Sequence, residues 1–592
     1  MAPSDTGSLQ ALDYLLFAAT LLVSAAVGVY YWVKAARREH PESNVEYLLG
    51  NRRMPVIPTS MSVLTSILSS ILLIGIPAEI YQRGVNAWIY TVSGAISMVI
   101  NAFVFLPVFY KFQPTSIHDY FVARFNSYTL RTLKVFGVGG FPVWAFILSV
   151  GLVCTFYTTL GGLKAVVWTD TIQTVIMFVG VLVLVLKGTA DAGGWDRVWR
   201  LSADYGRVDS VRNLDPTIFQ YMSLWCAVFS AIPFWLAQYG VSQMAVQRYC
   251  SLATLGKARQ VVAITTPLFV ILSSLPCFLG LIMFAFFFHC DPLKSKQLAT
   301  RDQLVIYFVM KVFRALPGLP GLFLACLCSG TLSTVSSGVN SMVAVFWEDL
   351  IPWPCLPKGL KDRLGSKGTK FCALCFGLIA TGLAFACESL GGVMNAMQSI
   401  VGGFTGPLTG LFTLGVCVPW ANRNGAVLGG VVSMSFFVTI LTGGLLKQPY
   451  GKFKLPSYDY GCNTTNASDL ATLSLPQFTN ATADLHYGDS SVFILFRISS
   501  WYYPIVGFLL VMVFGMLGSW LMPCEGPCDR NDEEVDKSML TIQGIWAEKR
   551  KYRFSTTVDP GEPSLQKYRE NDRPWKEQGY GRDGENFELK KV

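Results

Sequence analysis

The sequence predicts an all-α polytopic membrane protein, on three observations. Apolar residues make up 52% of the chain and charged residues only 14%; with a mean hydropathy of +0.43, that balance does not suit a water-soluble globule. The apolar residues gather into about twelve runs, near 12–33, 55–80, 86–109, 138–160, 166–187, 216–242, 260–289, 318–346, 369–391, 393–417, 424–446 and 500–522, most of them close to the ~20 residues that cross a bilayer as a helix. The lysines and arginines cluster in short loops and in the tail after Pro523, so the net charge of +9 reads as a topology signal and not as a footprint for nucleic acid.

The loops orient the runs. Met1 to Gln10 lacks a basic region and a small-residue cleavage site, so the first run is expected to be retained. The loop after it carries Lys34, Arg37, Arg38, Arg52 and Arg53, which places that loop in the cytoplasm and residues 1–11 outside. The basic loops 248–259 and 358–370 are expected to be cytoplasmic as well. Residues 447–499 hold acceptor sequons at Asn463, Asn466 and Asn480, so this segment is expected outside and glycosylated, leaving 523–592 inside. From Glu533 the tail is polar, charged and poor in aliphatics, the composition of a disordered regulatory segment, and Leu589-Lys-Lys-Val592 is a weak candidate for cytoplasmic tail-binding proteins. The count conflicts with these loops, because about five runs separate two loops that both read as cytoplasmic, where an even number is required. The weak spot is Phe125 to Trp144, where the stretch from Leu133 is too short and too rich in glycine to span.

Three stretches carry chemistry. In the run 318–346, Gly330, Ser333, Thr334, Ser337 and Ser341 fall on one stripe at about 100° per residue. Hydroxyls and an uncrowded glycine carbonyl are hard neutral oxygens that suit a small hard cation; the same stripe also suits close helix packing. Pro55 to Ser70, followed by Gly75, Pro77 and Glu79, puts hydroxyls and helix breakers into one span. That is either an interrupted helix whose unwound backbone lines a cavity or a kinked structural helix. In Cys154 to Gln173, Asp170 lies inside an apolar run with Gln173 three residues on. A carboxylate there costs about 2.5–3.5 kcal/mol, so it is expected to face a cavity or a partner such as Lys164 or Arg248. Gln243, Gln247 and Arg248 end the sixth run. Cys372 and Cys375 form a C-x-x-C without a second pair at zinc spacing.

The phrases Gly161-Gly-Leu-Lys-Ala-Val-Val-Trp-Thr-Asp170, Val246-Gln-Arg-Tyr249, Leu316-Pro-Gly-Leu-Pro-Gly-Leu-Phe323 and Ser329-Gly-Thr-Leu-Ser-Thr334 together resemble the sodium:solute symporter family. They are most similar to its sodium-coupled anion branch of iodide, monocarboxylate and multivitamin transporters, from Asp13 to Leu521. The resemblance implies a transporter domain over 12–522 with an inverted-repeat, LeuT-like ten-helix core over 55–417, flanked by extra helices, in which the first helix of each repeat is broken. It implies one sodium site between the broken helix and the hydroxyl-rich helix, from Thr65, Leu68, Gly330, Ser333 and Thr334. A second sodium site maps to Ser66, Asp170, Gln173 and Gln243, and a substrate pocket to Ser69, Leu72, Tyr81, Trp88, Gln398 and Phe404. The chain departs from several relatives at Leu72, where they carry a polar residue, and at Ser242 beside Gln243.

The expected function is sodium-coupled symport of a small anion by alternating access, in a multi-pass protein of the plasma membrane, with Na+ as the co-transported ion. Each sodium moving with the potential gains about 2.3 kcal/mol per 100 mV. An ion channel would need a continuous polar pore, and an enzyme an acid/base or metal set, whereas His40, His118, His289 and His486 lie in or beside loops with no H-E-x-x-H. Relatives carry roughly twenty further residues after the segment matching Phe125, the length of one helix. The resemblance therefore implies about twelve spans here against about thirteen in relatives, with a transport-deficient spliced form as the alternative.

Overall fold

The computed structural model describes residues 10–37, 43–117, 119–125, 144–208, 214, 217–351, 360–386, 393–447, 454–459, 462 and 492–522, and none of these is in a strand. The expectations for 1–9, Asn463, Asn466 and Asn480, 126–143 and the tail 523–592 lie outside them. The order is α1 (Ala11–Ala36), a short α2 (Asn44–Leu49), α3 (Val56–Ile67), α4 (Ser70–Arg83), α5 (Asn86–Phe112), α6 (Asp119–Phe125), α7 (Trp144–Asp191) and α8 (Trp195–Asp204). There follow α9 (Cys226–Tyr239), α10 (Gln243–Cys250), α11 (Leu255–Phe286), α12 (Leu304–Val312), α13 (Leu319–Val345), α14 (Leu360–Ala386), α15 (Val393–Cys417), α16 (Arg423–Lys447) and α17 (Tyr503–Leu521). Among the described residues, 8 helices are long and apolar enough to cross a membrane, or 9 with the bent pair α3/α4 as one span. The sequence shows more runs because two of them join in α7, the run 216–242 yields the short helix α9, and the run 369–391 extends beyond the described end of α14 at Ala386.

A straight helix the length of α7 would reach ~72 Å, more than twice the bilayer core. Gly162 resolves this, because its φ of 53° and ψ of −152° interrupt the helix. A Cβ there would meet the Tyr47 carbonyl oxygen at 2.6 Å, so both the left-handed conformation and the close approach require glycine. The chain folds back at this point. Tyr157 donates from its hydroxyl to the Leu332 carbonyl at 3.1 Å, and Asp170, thirteen residues later by number, lies beside Ser333 on the same turn of α13.

Two helices are broken in mid-course. Between α3 and α4, Leu68 (φ −78°, ψ 90°) and Ser69 (φ −90°, ψ 169°) are extended and the axis bends by 55°. Local serines favour such a break, since their hydroxyls bond backbone carbonyls in competition with the helix, as Ser60 does to Val56 at 2.9 Å. Between α9 and α10, Ser242 is extended and caps α10 by accepting from the Ala245 amide at 3.2 Å.

The two ends of the bundle are distinguishable. At one end α2 meets the start of α14, where the Thr369 hydroxyl donates to Asn44 at 3.4 Å. Arg52 bonds Gln113 at the end of α5, and Ser116 bonds Asp349 beyond α13. Arg124 of α6 donates to the Gly415 and Val418 carbonyls, both at 3.0 Å, at the end of α15. At the other end Cys290 and Cys462 form a disulfide. Gly377 packs on Thr155 and Gly151 on Thr381, so α7 starts at the disulfide end and descends to Gly162 against α2. The sequence reading missed this disulfide. The available signal was one cysteine in the sequon-bearing segment and another just beyond a span.

Candidate ion-binding site

The break between α3 and α4 leaves the last carbonyls of one helix and the first amides of the other without partners in their own helices. α13 covers it, and glycine is what permits the approach, because a Cβ on Gly330 would stand 2.9 Å from the Ser70 nitrogen. Ser333 donates to the Thr65 hydroxyl at 3.1 Å, the hydroxyls of Ser70 and Thr331 are 2.8 Å apart, and Thr334 donates to the Gly330 carbonyl at 3.0 Å. The structure thus brings Thr65, Gly330 and Ser333 together at the break, with Thr334 one turn along and Leu68 in the extended link. Every oxygen in this group is neutral. Hydroxyls that donate to one another keep lone pairs for a cation.

One turn deeper lies a charged cluster. Asp170 pairs through Oδ2 with Arg248 Nη2 at 3.2 Å, both groups buried, and accepts from Ser62. Arg248 donates from Nε to the Ser62 hydroxyl at 2.7 Å, from Nη1 to the Met244 carbonyl at 2.8 Å and from Nη2 to Ser337. Ser66 and Ser337 are 2.9 Å apart through their hydroxyls. Of the two partners considered for Asp170, the structure selects Arg248, while Lys164 pairs with Glu46. Asp170 Oδ1 and Gln173 Oε1 are both buried without a hydrogen-bond partner, one helical turn apart. Gln173 Nε2 donates to Ser24 of α1 at 3.2 Å. Gln243 is placed elsewhere: its Nε2 donates to the Thr115 carbonyl and its Oε1 accepts from the Ile117 amide, both at 2.7 Å, clamping the chain between α5 and α6. Ser62 was not anticipated, although its spacing of four from Ser66 puts both on one helix face.

The expected substrate-pocket residues divide. Ser69 and Leu72 line a small cavity with Leu68, Leu73, Ile76, Thr91, Met177, Leu272, Ser273 and Pro276 beside the break. Tyr81 lies at the far tip of α4 against Phe284, ring centroids 6.2 Å apart. Gln398 donates to the Tyr90 hydroxyl at 3.3 Å, Phe404 packs on Phe437 at 4.9 Å, and Trp88, 39% exposed, donates to Ser274 at 2.9 Å.

The sodium:solute symporter family profile matches residues 47–139 and 135–433. The chain belongs to that family. It is 36% identical over 546 residues to a sodium-coupled monocarboxylate transporter 2 of Danio rerio, covering 88% of this chain and 85% of that protein. It is 35% identical over 515 residues to the sodium-dependent multivitamin transporter of Oryctolagus cuniculus, covering 81% and 80%. A solved structure of a Na+-coupled sialic acid symporter superposes with a TM-score of 0.63 at 20% identity, over 87% of this chain and 98% of that one, a likeness of fold. The chain is a multi-pass membrane symporter that couples a small solute to sodium, with an inverted-repeat, LeuT-like core, and it is a carrier rather than an enzyme.

Proposed function

We propose that the carried solute is a small anion, a monocarboxylate, iodide or a vitamin-like carboxylate, and that sodium binds where α13 meets the helix break. The observation that supports the sodium assignment is the convergence of Thr65, Gly330 and Ser333 on the α3/α4 link. Sodium there is held by the Thr65 and Leu68 backbone oxygens with Gly330, Ser333 and Thr334, and it ties the two broken halves to α13. Asp170 and Gln173 offer unpartnered oxygens for a second sodium, with Ser66 near and Gln243 outside the set. The small cavity at Ser69 and Leu72 is the start of the substrate pocket. The protein acts in the plasma membrane with its N-terminus outside and its C-terminus inside, consistent with the disulfide end facing out; Asn463, Asn466 and Asn480 are then glycosylation sites. The test is uptake of labelled iodide, lactate, nicotinate, biotin and pantothenate with and without sodium. Saturable uptake of one of them that requires sodium is expected; flux that neither saturates nor needs sodium would remove the carrier.

A second reading, reduced transport, is favoured by one observation. α6 sits at the α2 end and α7 starts at the disulfide end, and only 18 residues separate Phe125 from Trp144 in the sequence, fewer than the ~20 that a span takes. The two family matches meet within that stretch. Lengthening the chain after Phe125 by a helix should raise uptake under this reading, and robust sodium-driven uptake by the 592 residues as they stand would refute it.

A further inference from the structure

At the disulfide end, residues 454–458 lie across the tip of α4. The Leu455 amide donates to the Gln82 carbonyl at 2.8 Å, and the Asp291 amide donates to the Tyr458 carbonyl at 2.7 Å. This strap helps enclose a cavity of about 260 Å³ bordered by three cations, Arg207, Lys294 and Lys454, and one carboxylate, Asp291. The Arg207 side chain is fully buried, and its hydrogen bonds go to carbonyls: Nε to Tyr81 at 3.0 Å, Nη1 to Tyr205 at 3.3 Å and Nη2 to Pro456 at 2.7 Å. Among the described residues no carboxylate oxygen lies within ion-pair distance of it. Burial pushes Arg207 down to about 10, still well above neutrality, so it stays charged. Three of its five N–H donors are used. Lys294 donates to the Ser457 carbonyl, and Lys454 has no partner among the described residues. Asp291 is partly engaged, since its Oδ1 accepts from the Leu293 amide at 2.7 Å and the Lys294 amide at 3.4 Å.

The same cavity holds an unsatisfied polar group. Gln82 is 6% exposed, its Oε1 is enclosed without a partner, and its amide makes no side-chain hydrogen bond among the described residues. Turned by 180°, the amide presents Nε2 in the same place. Arg207 stacks over the Phe284 ring at 4.1 Å and feels the Asp291 charge without an ion-pair contact; a buried guanidinium with no carboxylate in contact and a buried amide without a partner are both costly, and a small anion between them relieves both.

We propose that this cavity is a second, extracellular anion site, separate from the helix break, that takes a small monocarboxylate between Arg207, Lys454 and Gln82. A planar guanidinium matches two carboxylate oxygens in a way that a spherical halide does not. Because Gln82 and the Arg207-bound Tyr81 carbonyl belong to the tip of α4, occupancy fastens the strap to the outer half of the broken helix. The inference does not depend on which solute is carried.

The test uses the full chain purified in lipid nanodiscs without sodium, with methanesulfonate as background anion, and follows the thermal unfolding midpoint against added acetate or chloride. Acetate should raise the midpoint saturably, and Lys454→Gln, which removes an exposed group and no packing, should raise the half-saturating acetate about fivefold, with Lys294→Gln/Lys454→Gln at least about tenfold. Arg207→Gln strips the strap of hydrogen bonds, so Arg207→Lys serves in its place: it keeps the charge, loses the planar fork and should lower the preference for acetate over chloride. Equal midpoint curves in wild type and the double lysine variant would overturn the site, and chloride acting at the same concentrations as acetate in the wild type would overturn the carboxylate assignment.

Discussion

Two regions of α13, one turn apart, meet the rest of the bundle in opposite ways. At Gly330, Ser333 and Thr334 the helix faces the α3/α4 link with neutral oxygens only. At Ser337 it faces Arg248, which is already paired with Asp170 and donates to Ser62 as well. The first region contains no cation of its own: its hydroxyls bond one another, with the Asp170 carboxylate beside Ser333, and the sodium proposed there would add to what holds it. In the second, a cation is built into the chain. The second sodium proposed there would have to compete with a guanidinium or use the oxygens that Arg248 leaves open, Asp170 Oδ1 and Gln173 Oε1. The difference teaches that hydroxyl density alone does not identify an ion site; the charge already present decides what the hydroxyls are for.

Removing the internal cation should produce the largest effect. Arg248→Met leaves Asp170 buried and unpaired and is expected to cost about 3–5 kcal/mol of stability, with Asp170→Asn/Arg248→Met recovering most of the loss. Thermal unfolding of the purified variants checks this, and additive losses in the double variant would mean that the pair is not coupled. A smaller effect, on sodium alone, is expected in the neutral region. Thr334→Ala removes one oxygen without adding bulk and should raise the sodium needed for half-maximal uptake by about tenfold, or about 1.4 kcal/mol, with surface expression nearly unchanged. Unaltered sodium dependence in both Thr334→Ala and Ser333→Ala would erase the contrast between the regions. The smallest effect concerns Gln243. As a clamp on Thr115 and Ile117 it should cost about 1 kcal/mol of stability when changed to alanine and leave the sodium midpoint where it was; a shifted midpoint in Gln243→Ala uptake would return it to the second ion site.

Much of this was legible from the residues in order. Hydropathy marked the spans because burial of ~20 successive apolar residues is a local property. The stripe on α13 followed from helical periodicity, and the density of hydroxyls and prolines over 55–70 marked a span either interrupted or kinked; the structure decided for an interruption and put it at Leu68 and Ser69. What lies between elements was not legible. Lys164 and Arg248 were equally plausible partners for Asp170, and only packing decided, by placing Glu46 of α2 beside Lys164 and the end of α10 beside α3. Gln243 was assigned with the ion ligands by its motif, yet its direction is set at the start of α10 by backbone groups of residues 115 and 117, far away in the chain. The Gly161-Gly162 pair stood in a family phrase, but its use as the point where α7 turns back depends on Tyr47 pressing against it. Periodicity and composition act through neighbours within a few residues, so the chain by itself determined which segments are helices and which faces are polar. Pairings such as Asp170 with Arg248 depend on how separate helices approach one another, and close packing across those helices, which no local pattern encodes, decided them.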